Sequence, residues 1–366
     1  MTYTKAETFL RKDPFRLHRL ALAPFLDSEH SIDFPSLLAA AEKEGINDFL
    51  QFLIFNGLAP IWHESLKDVS QINKINPEVV EKLRQVRLVS EANYINQKNS
   101  LKNIHNSLTS AGIDYAIFKG AQVRELVYDN PGLRPCIDID ILISRKNRDI
   151  AIKTLIDAEM KFLPNEEVFS HECMFVDKTT IIDLHWNIMR PGRTRVDLTE
   201  DILKASVTLN GISYVNNEAN LFVLLVHPAI NKYICSKDTF LIRLIDLYKF
   251  LNLFQFEWDI IIDLVEKGGV NTAAWSTLYW LSLFNHKALP RETNLIKEPS
   301  FYKRKYIEFW VNNNLPTKLY EHRLVMRFGF GIFLHDNIKD SLRAILKLVG
   351  RERKIPDYLK EYNINL

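Results

Sequence analysis

Two aspartates two residues apart, Asp138 and Asp140, interrupt an otherwise β-branched run, Ile137-Asp138-Ile139-Asp140-Ile141-Leu142-Ile143. Alternate residues of a strand share a face, so both acids point one way while Ile137, Ile139 and Ile141 point into a core. Adjacent carboxylates repel one another and resist burial. A divalent cation resolves that conflict, and Mg²⁺ suits a pair of carboxylate oxygens completed by substrate phosphates. An edge strand with solvated acids fits the same pattern without a metal. Downstream, Thr180-Ile181-Ile182-Asp183-Leu184-His185-Trp186 reads as a strand with Asp183 and His185 on one face and Ile182, Leu184 and Trp186 on the other. It follows the strand Glu172–Val176 across a turn at Asp177-Lys178-Thr179, which makes a hairpin. If this strand pairs with that of Asp138 and Asp140, three carboxylates converge, the ligand set of two-metal phosphoryl chemistry. His185 could orient a carboxylate, contact substrate or help move a proton, or serve only as a hydrogen-bonded structural residue.

The segments that must position these acids are legible nearby. Tyr115–Phe118 reads as a short buried strand, Gly120 breaks it, and Ala121–Tyr128 reads as a helix with Val123, Leu126 and Val127 on its apolar stripe. A strand, a glycine turn and a helix N-terminus form a seat for phosphate, to which Lys119 could add charge; a plain β-turn-α connection with a solvated lysine reads the same. Asp129-Asn130-Pro131-Gly132 ends the helix. Arg134 then either clamps a phosphate, pairs with a carboxylate or sits at the surface. Cys136 shares a face with Asp138 and reads as a packed thiol.

The rest of the chain reads as helical. In the first 111 residues, Ser31 and Asp33 offer caps before a helix over Ser36–Glu44 that Gly45 stops. Pro77 opens a run to Ser110 without further Pro or Gly, with a stripe through Leu83, Val86, Leu88, Ala92, Ile95, Leu101, Ile104 and Leu108. Lys146–Met160 reads as a helix between strands, and Pro191-Gly192-Arg193 as a boundary. From about residue 196 the chain reads as helical again, clearest at Glu218–Val226, Phe240–Phe254, Trp258–Lys267 and Asp340–Val349. His227-Pro228 is expected to end an apolar helix, and Arg243 and Asp246, three apart, to pair. The aromatics Tyr279, Trp280 and Phe284 read as core. The basic-aromatic tail Arg351–Lys360 and the Lys303-Arg304-Lys305 cluster read as solvated faces, with an anionic partner or membrane surface as the alternative.

Composition bounds the class. The chain has 366 residues and a formal net charge of +2, which argues against coating nucleic acid by bulk charge. Its three cysteines have no C-x-x-C spacing, so neither a disulfide framework nor a zinc site is expected. The opening residues lack a signal peptide's apolar core, and no apolar run is long enough to span a bilayer. A reducing cytoplasm is the expected location.

The ordered set Phe118-Lys119-Gly120, Tyr128, Pro131, Arg134-Pro135-x-x-Asp138-Ile139-Asp140-Ile141-Leu142-Ile143 and Ile182-Asp183-Leu184-His185-Trp186 resembles the family of uncharacterised bacterial nucleotidyltransferases, itself similar to the polymerase-beta-type superfamily. The resemblance covers about residues 113–190. It implies an α+β fold: a nucleotidyltransferase core with a small mixed sheet flanked by helices, between helical N-terminal and C-terminal regions. The expected divisions are 1–111 (helical), 112–192 (the core with the Asp triad) and 193–366 (helical).

The resemblance further implies Mg²⁺, or Mn²⁺ in its place, held by Asp138, Asp140 and Asp183. It implies transfer of a nucleoside monophosphate from an NTP to an acceptor hydroxyl with release of pyrophosphate. Asp183 is expected to take the hydroxyl's proton. Gly120 matches the glycine that opens the helix under the triphosphate, and Lys119, Arg134 and His185 join it as nucleotide-binding candidates. Where many superfamily members carry Gly-Ser, this chain has Lys119-Gly120-Ala121. His227, Arg243 and Asp246 are second-tier candidates from the C-terminal region, against a reading as a buried ion pair and a helix end. A small acceptor, aminoglycoside-like or a sugar, predicts a closed acidic cleft; tRNA predicts a basic track; a protein side chain is a further option. The near-neutral charge favours the small acceptor over nucleic acid. The alternatives are an inactive nucleotide-binding or protein-interaction scaffold, an enzyme modifying RNA or protein, and phosphate-ester hydrolysis or phosphorolysis.

Overall fold

The computed structural model describes residues 13–26, 34–43, 45–66, 75–165, 168–285, 289–349, 355 and 359. The first residues, the expected caps Ser31 and Asp33, Glu44 and most of the Arg351–Lys360 tail lie outside them.

Among the described residues, four short helices come first: α1 (Arg16–Leu26), α2 (Phe34–Glu42), α3 (Ile46–Phe55) and α4 (Ala59–Leu66). The long helix α5 runs Pro77–Ser110, as the absence of internal Pro and Gly predicts. Proline occupies its first turn, where a missing N–H costs nothing, and the Asn76 side chain accepts from Glu78 N–H at 2.9 Å. The expected apolar stripe is only partly buried: Leu83, Leu101, Ile104 and Leu108 are in the core, whereas Leu88 and Ile95 are exposed. The middle of the seam is polar instead. Ser90 Oγ donates to Gly132 O at 2.6 Å and Gln97 Nε2 to Cys136 O at 2.8 Å. These bonds fix the loop that delivers the chain into the acidic strand.

The sheet is built from β1 (Tyr115–Phe118), β2 (Asp138–Ile143), β3 (Lys161–Leu163), β4 (Glu172–Asp177), β5 (Thr180–His185), β6 (Val207–Leu209) and β7 (Ile212–Tyr214), in the order β3-β4-β5-β2-β1-β7-β6. The pairs β2–β5 and β1–β7 are parallel; the remaining neighbours are antiparallel. Helix α6 (Lys119–Val127) follows β1, and α7 (Arg148–Asp157) connects β2 to β3. The sheet thus continues past Pro191-Gly192 through β6 and β7, in a region expected to be wholly helical. Asn210 and Gly211, at φ 51° and 81°, make the tight turn between these two strands.

The remaining helices are α8 (Thr199–Lys204), α9 (Asn217–Ile230), α10 (Ile242–Leu253), α11 (Trp258–Gly268), α12 (Asn271–Ser282), α13 (Phe301–Asn312), α14 (Leu315–Lys318) and α15 (Ile338–Val349). His227-Pro228 does not end α9. The proline lies inside its last turn, and Asn231 N–H bonds back to His227 O, carrying the helix past it. Lys303 Nζ donates to two backbone carbonyls, while Arg304 and Lys305 pair with Glu308, so that cluster is a paired helix face. No helix among the described residues is long and apolar enough to cross a membrane.

Burial divides along the sheet. Ile139, Ile141, Ile143, Ile182 and Leu184 pack on one face beneath α7 and the end of α5. On the other side, Phe118 and Leu142 join a second core shared by the N-terminal helices and α9–α12, which includes Trp280. The acids emerge on that second face.

Candidate active site

Strand register assembles the acids. In the parallel β2–β5 pair Asp140 lies directly opposite Asp183, and Asp138 precedes it by two residues on the same face. The backs of both strands are fully buried isoleucine and leucine, so a one-residue slip would turn the acids into the core. Ligand atoms of Asp140, Asp183 and His185 lie within 4.8 Å of one another. Asp138 stands beside this cluster and lines the same cleft.

The carboxylates are not equivalent. Burial would raise Asp140, but the Lys119 ammonium and His185 hold it well below the usual range. Lys119 Nζ is 2.5 Å and His185 Nε2 2.9 Å from its Oδ1. Burial and then the charge of Asp140 push Asp183 up to about 7, and the same two causes raise Asp138. His185 is flanked on its other side by Glu172, with Nδ1 3.0 Å from Oε2. Burial and Lys119 oppose its charge, yet Glu172 and the bonds to both carboxylates raise it to about 9. Both ring nitrogens therefore donate, and His185 is an imidazolium that orients Asp140. Glu172 escaped sequence reading although it lies opposite His185 in the β4–β5 register.

The donor set fits a hard divalent cation: oxygens from Asp140 and Asp183 within reach of one centre, Asp138 adjoining, and the Lys119 ammonium already drawn onto Asp140.

The Lys119-Gly120 turn is organised differently from the expected phosphate seat. Lys119 takes the left-handed φ of 56°, and its N–H donates to Asn220 Oδ1 at 3.2 Å. Gly120 is needed because a Cβ there would lie 2.4 Å from Arg134 Nη1. The guanidinium that fills this space points at Asp246, with Nη2–Oδ2 at 2.6 Å and Nε–Oδ2 at 3.2 Å. Tyr128 Oη donates to the other oxygen at 2.8 Å, and burial followed by the Asp246 charge keeps that phenol far above its usual range. Arg134 is thus committed to a carboxylate, one of its three expected readings, and does not sit at the surface. Asp246 pairs with Arg134 and not with Arg243: its helix α10 turns the acid toward α6 while Arg243 faces the cleft.

Arg243 has no carboxylate within ion-pairing distance among the described residues; its Nη1 lies 3.5 Å from His227 Nδ1. Burial, then Lys119 and Arg243, push His227 well below its usual range, so it is a neutral acceptor. Arg190 and Lys232 join Arg243 on the wall facing the acids. Neither was singled out in the sequence: one follows the β5 strand by five residues, the other lies just after α9, and no spacing links them. Burial and the nearby Arg243 lower Lys232, the mark of a crowded positive wall. The cleft is therefore not the closed acidic one expected for a small acceptor: among the described residues, acids occupy one wall and cations the other.

Residues 42–285, about two thirds of the chain, match the family model described as an uncharacterised nucleotidyltransferase. No curated protein matches the chain.

Proposed function

The chain belongs to the uncharacterised nucleotidyltransferase family and is a transferase of that kind; from this premise we propose that it moves a nucleoside monophosphate from an NTP to an acceptor hydroxyl, dependent on Mg²⁺. The observation that carries the reading is the register that sets Asp183 opposite Asp140, with Asp138 on the same face, before a wall of cations. Asp138, Asp140 and Asp183 would hold the metal. Bound Mg²⁺ supplies neutralisation of the triphosphate and a lowered pKa for the attacking hydroxyl.

The chain's own residues do the remainder. Arg190, Lys232 and Arg243 bind the triphosphate oxygens and stabilise charge as it develops on pyrophosphate. Lys119, seated on Asp140, is within reach of the same anion. Asp183, on the wall of the cleft, accepts the hydroxyl's proton as general base. His185 and Glu172 fix the direction of Asp140, and Arg134, Asp246 and Tyr128 brace the α6–α10 contact behind the cleft.

Incubation with NTPs labelled at the α-phosphorus, Mg²⁺ and a mixture of small hydroxyl-bearing compounds tests the reaction. Transfer predicts label joined to an acceptor with one pyrophosphate per event. Release of orthophosphate with no labelled adduct would make the protein a hydrolase.

A further inference from the structure

Beside the acidic cleft, and continuous with it through Arg190, Asn231 and Lys232, lies a second pocket. Its lining adds Arg193, Arg323 and Arg327 to the two shared cations, five in all against one carboxylate, Asp238. That acid is already engaged by the Tyr320 hydroxyl. None of the five cations has a carboxylate within ion-pairing distance among the described residues, in a protein that pairs most of its other arginines. Arg193 is more than nine-tenths buried, and its Nε has no hydrogen-bond partner; neither has the Nε of Arg327. An unpartnered buried guanidinium N–H is costly, and a bound anion removes that cost.

The lining is built, not incidental. Tyr233 stands under the Arg193 guanidinium at 6.0 Å from ring centroid to Cζ, although its own backbone is held at the left-handed φ of 56°. Gly331 makes room for that ring, since a Cβ there would lie 2.7 Å from it. Arg327 is presented by a π-helical stretch, Val325–Phe330, a distortion frequent at functional sites.

We propose that this annex binds a phosphate group carried by the acceptor, so that the hydroxyl-bearing substrate is a small phosphorylated molecule. The proposal rests on nucleotidyl transfer in the adjoining cleft. There Arg190, Lys232, Arg243 and Lys119 already supply the charge a metal-bound triphosphate needs, so the further arginines serve a second anion. Guanidinium forks match phosphate oxygens. The cations converge on a pocket and do not extend as a track, which favours a small phosphate ester over a polynucleotide.

Equilibrium dialysis of the full chain with labelled orthophosphate, in the presence of saturating Mg²⁺ and a non-hydrolysable ATP analogue, tests the assignment. The wild type binds phosphate alongside the nucleotide. Arg323→Gln/Arg327→Gln, which changes an exposed and a half-buried arginine and spares the core, lowers phosphate affinity at least about tenfold, the scale of one charged hydrogen bond. Its affinity for Mg²⁺–nucleotide stays within about twofold, and an unchanged melting curve shows that the fold is kept. Loss of nucleotide affinity in this variant would assign the annex to the triphosphate and overturn the proposal. So would equal phosphate binding by both proteins, phosphate binding by neither, or preference for an RNA oligonucleotide over phosphate. A wild type that binds phosphate but no nucleotide overturns the transfer reading itself, and with it the acceptor's identity.

Discussion

Asp140 and Asp246 are both buried carboxylates that meet a basic side chain and a ring-borne hydrogen, from the His185 imidazolium and the Tyr128 phenol respectively, yet they do opposite things. Asp246 is fully buried; both oxygens are taken, by the Arg134 fork and by Tyr128. Asp140 receives Lys119 and His185 on a single oxygen and stands against two further acids at the edge of a cleft. One arrangement is closed and complementary, a brace between α6 and α10. The other keeps charges of one sign together and open to ligand, which no folding requirement demands. Complete satisfaction marks structure, and unresolved repulsion facing a cleft marks function.

Four perturbations break or sharpen that contrast. The largest is Arg134→Met, which strands the buried Asp246 charge. Stability should fall by about 3–5 kcal/mol, read as a lower urea midpoint at unchanged slope; a loss below about 1 kcal/mol would show that the brace is ornamental. Asp183→Asn should do the reverse. Turnover drops at least about a hundredfold, while stability at pH 8 holds or rises, because an acid raised to about 7 destabilises the fold when ionised. Gly120→Ala acts on the brace at one remove, displacing Arg134 at a cost of about 1–3 kcal/mol, seen in thermal melts. The smallest effect concerns pH. Metal needs Asp183 ionised, so below about pH 7 Mg²⁺ affinity should weaken by up to about tenfold per unit, with proton release on binding seen by calorimetry in buffers of different ionisation enthalpy. Above that pH the affinity should level off.

Much of the acidic wall was legible because strand parity is a local rule. The alternation at Asp138–Ile143 and Ile181–His185 assigns every side chain to a face, although Ile137, expected in the core, precedes the strand and is exposed. Glu172 escaped because the turn is Lys178-Thr179 alone: Asp177 pairs with Thr180, and that one-residue difference from the expected turn sets Glu172 opposite His185. The β6–β7 hairpin was legible too: Asn210-Gly211 between Val-Thr-Leu and Ile-Ser-Tyr is a strong turn signal, overlooked amid helical segments. The middle of α5 misled, since an apolar period does not reveal that Ser90 and Gln97 will carry the contact with the 132–136 loop. Arg243 and Asp246 have pairing distance in sequence, but a competing guanidinium more than a hundred residues away claims the acid. The cationic wall had no local signature, because Arg190, Lys232 and Arg243 meet only through tertiary packing.

Calorimetric titration of NTP into the protein with and without Mg²⁺, on the wild type and on Asp138→Asn/Asp140→Asn, addresses the central claim most directly. The account predicts binding by the wild type that strengthens on adding Mg²⁺, and loss of that metal dependence in the folded variant. Nucleotide binding with the same Mg²⁺ dependence in both proteins would contradict it, since the acids on β2 would then have no part in holding the metal.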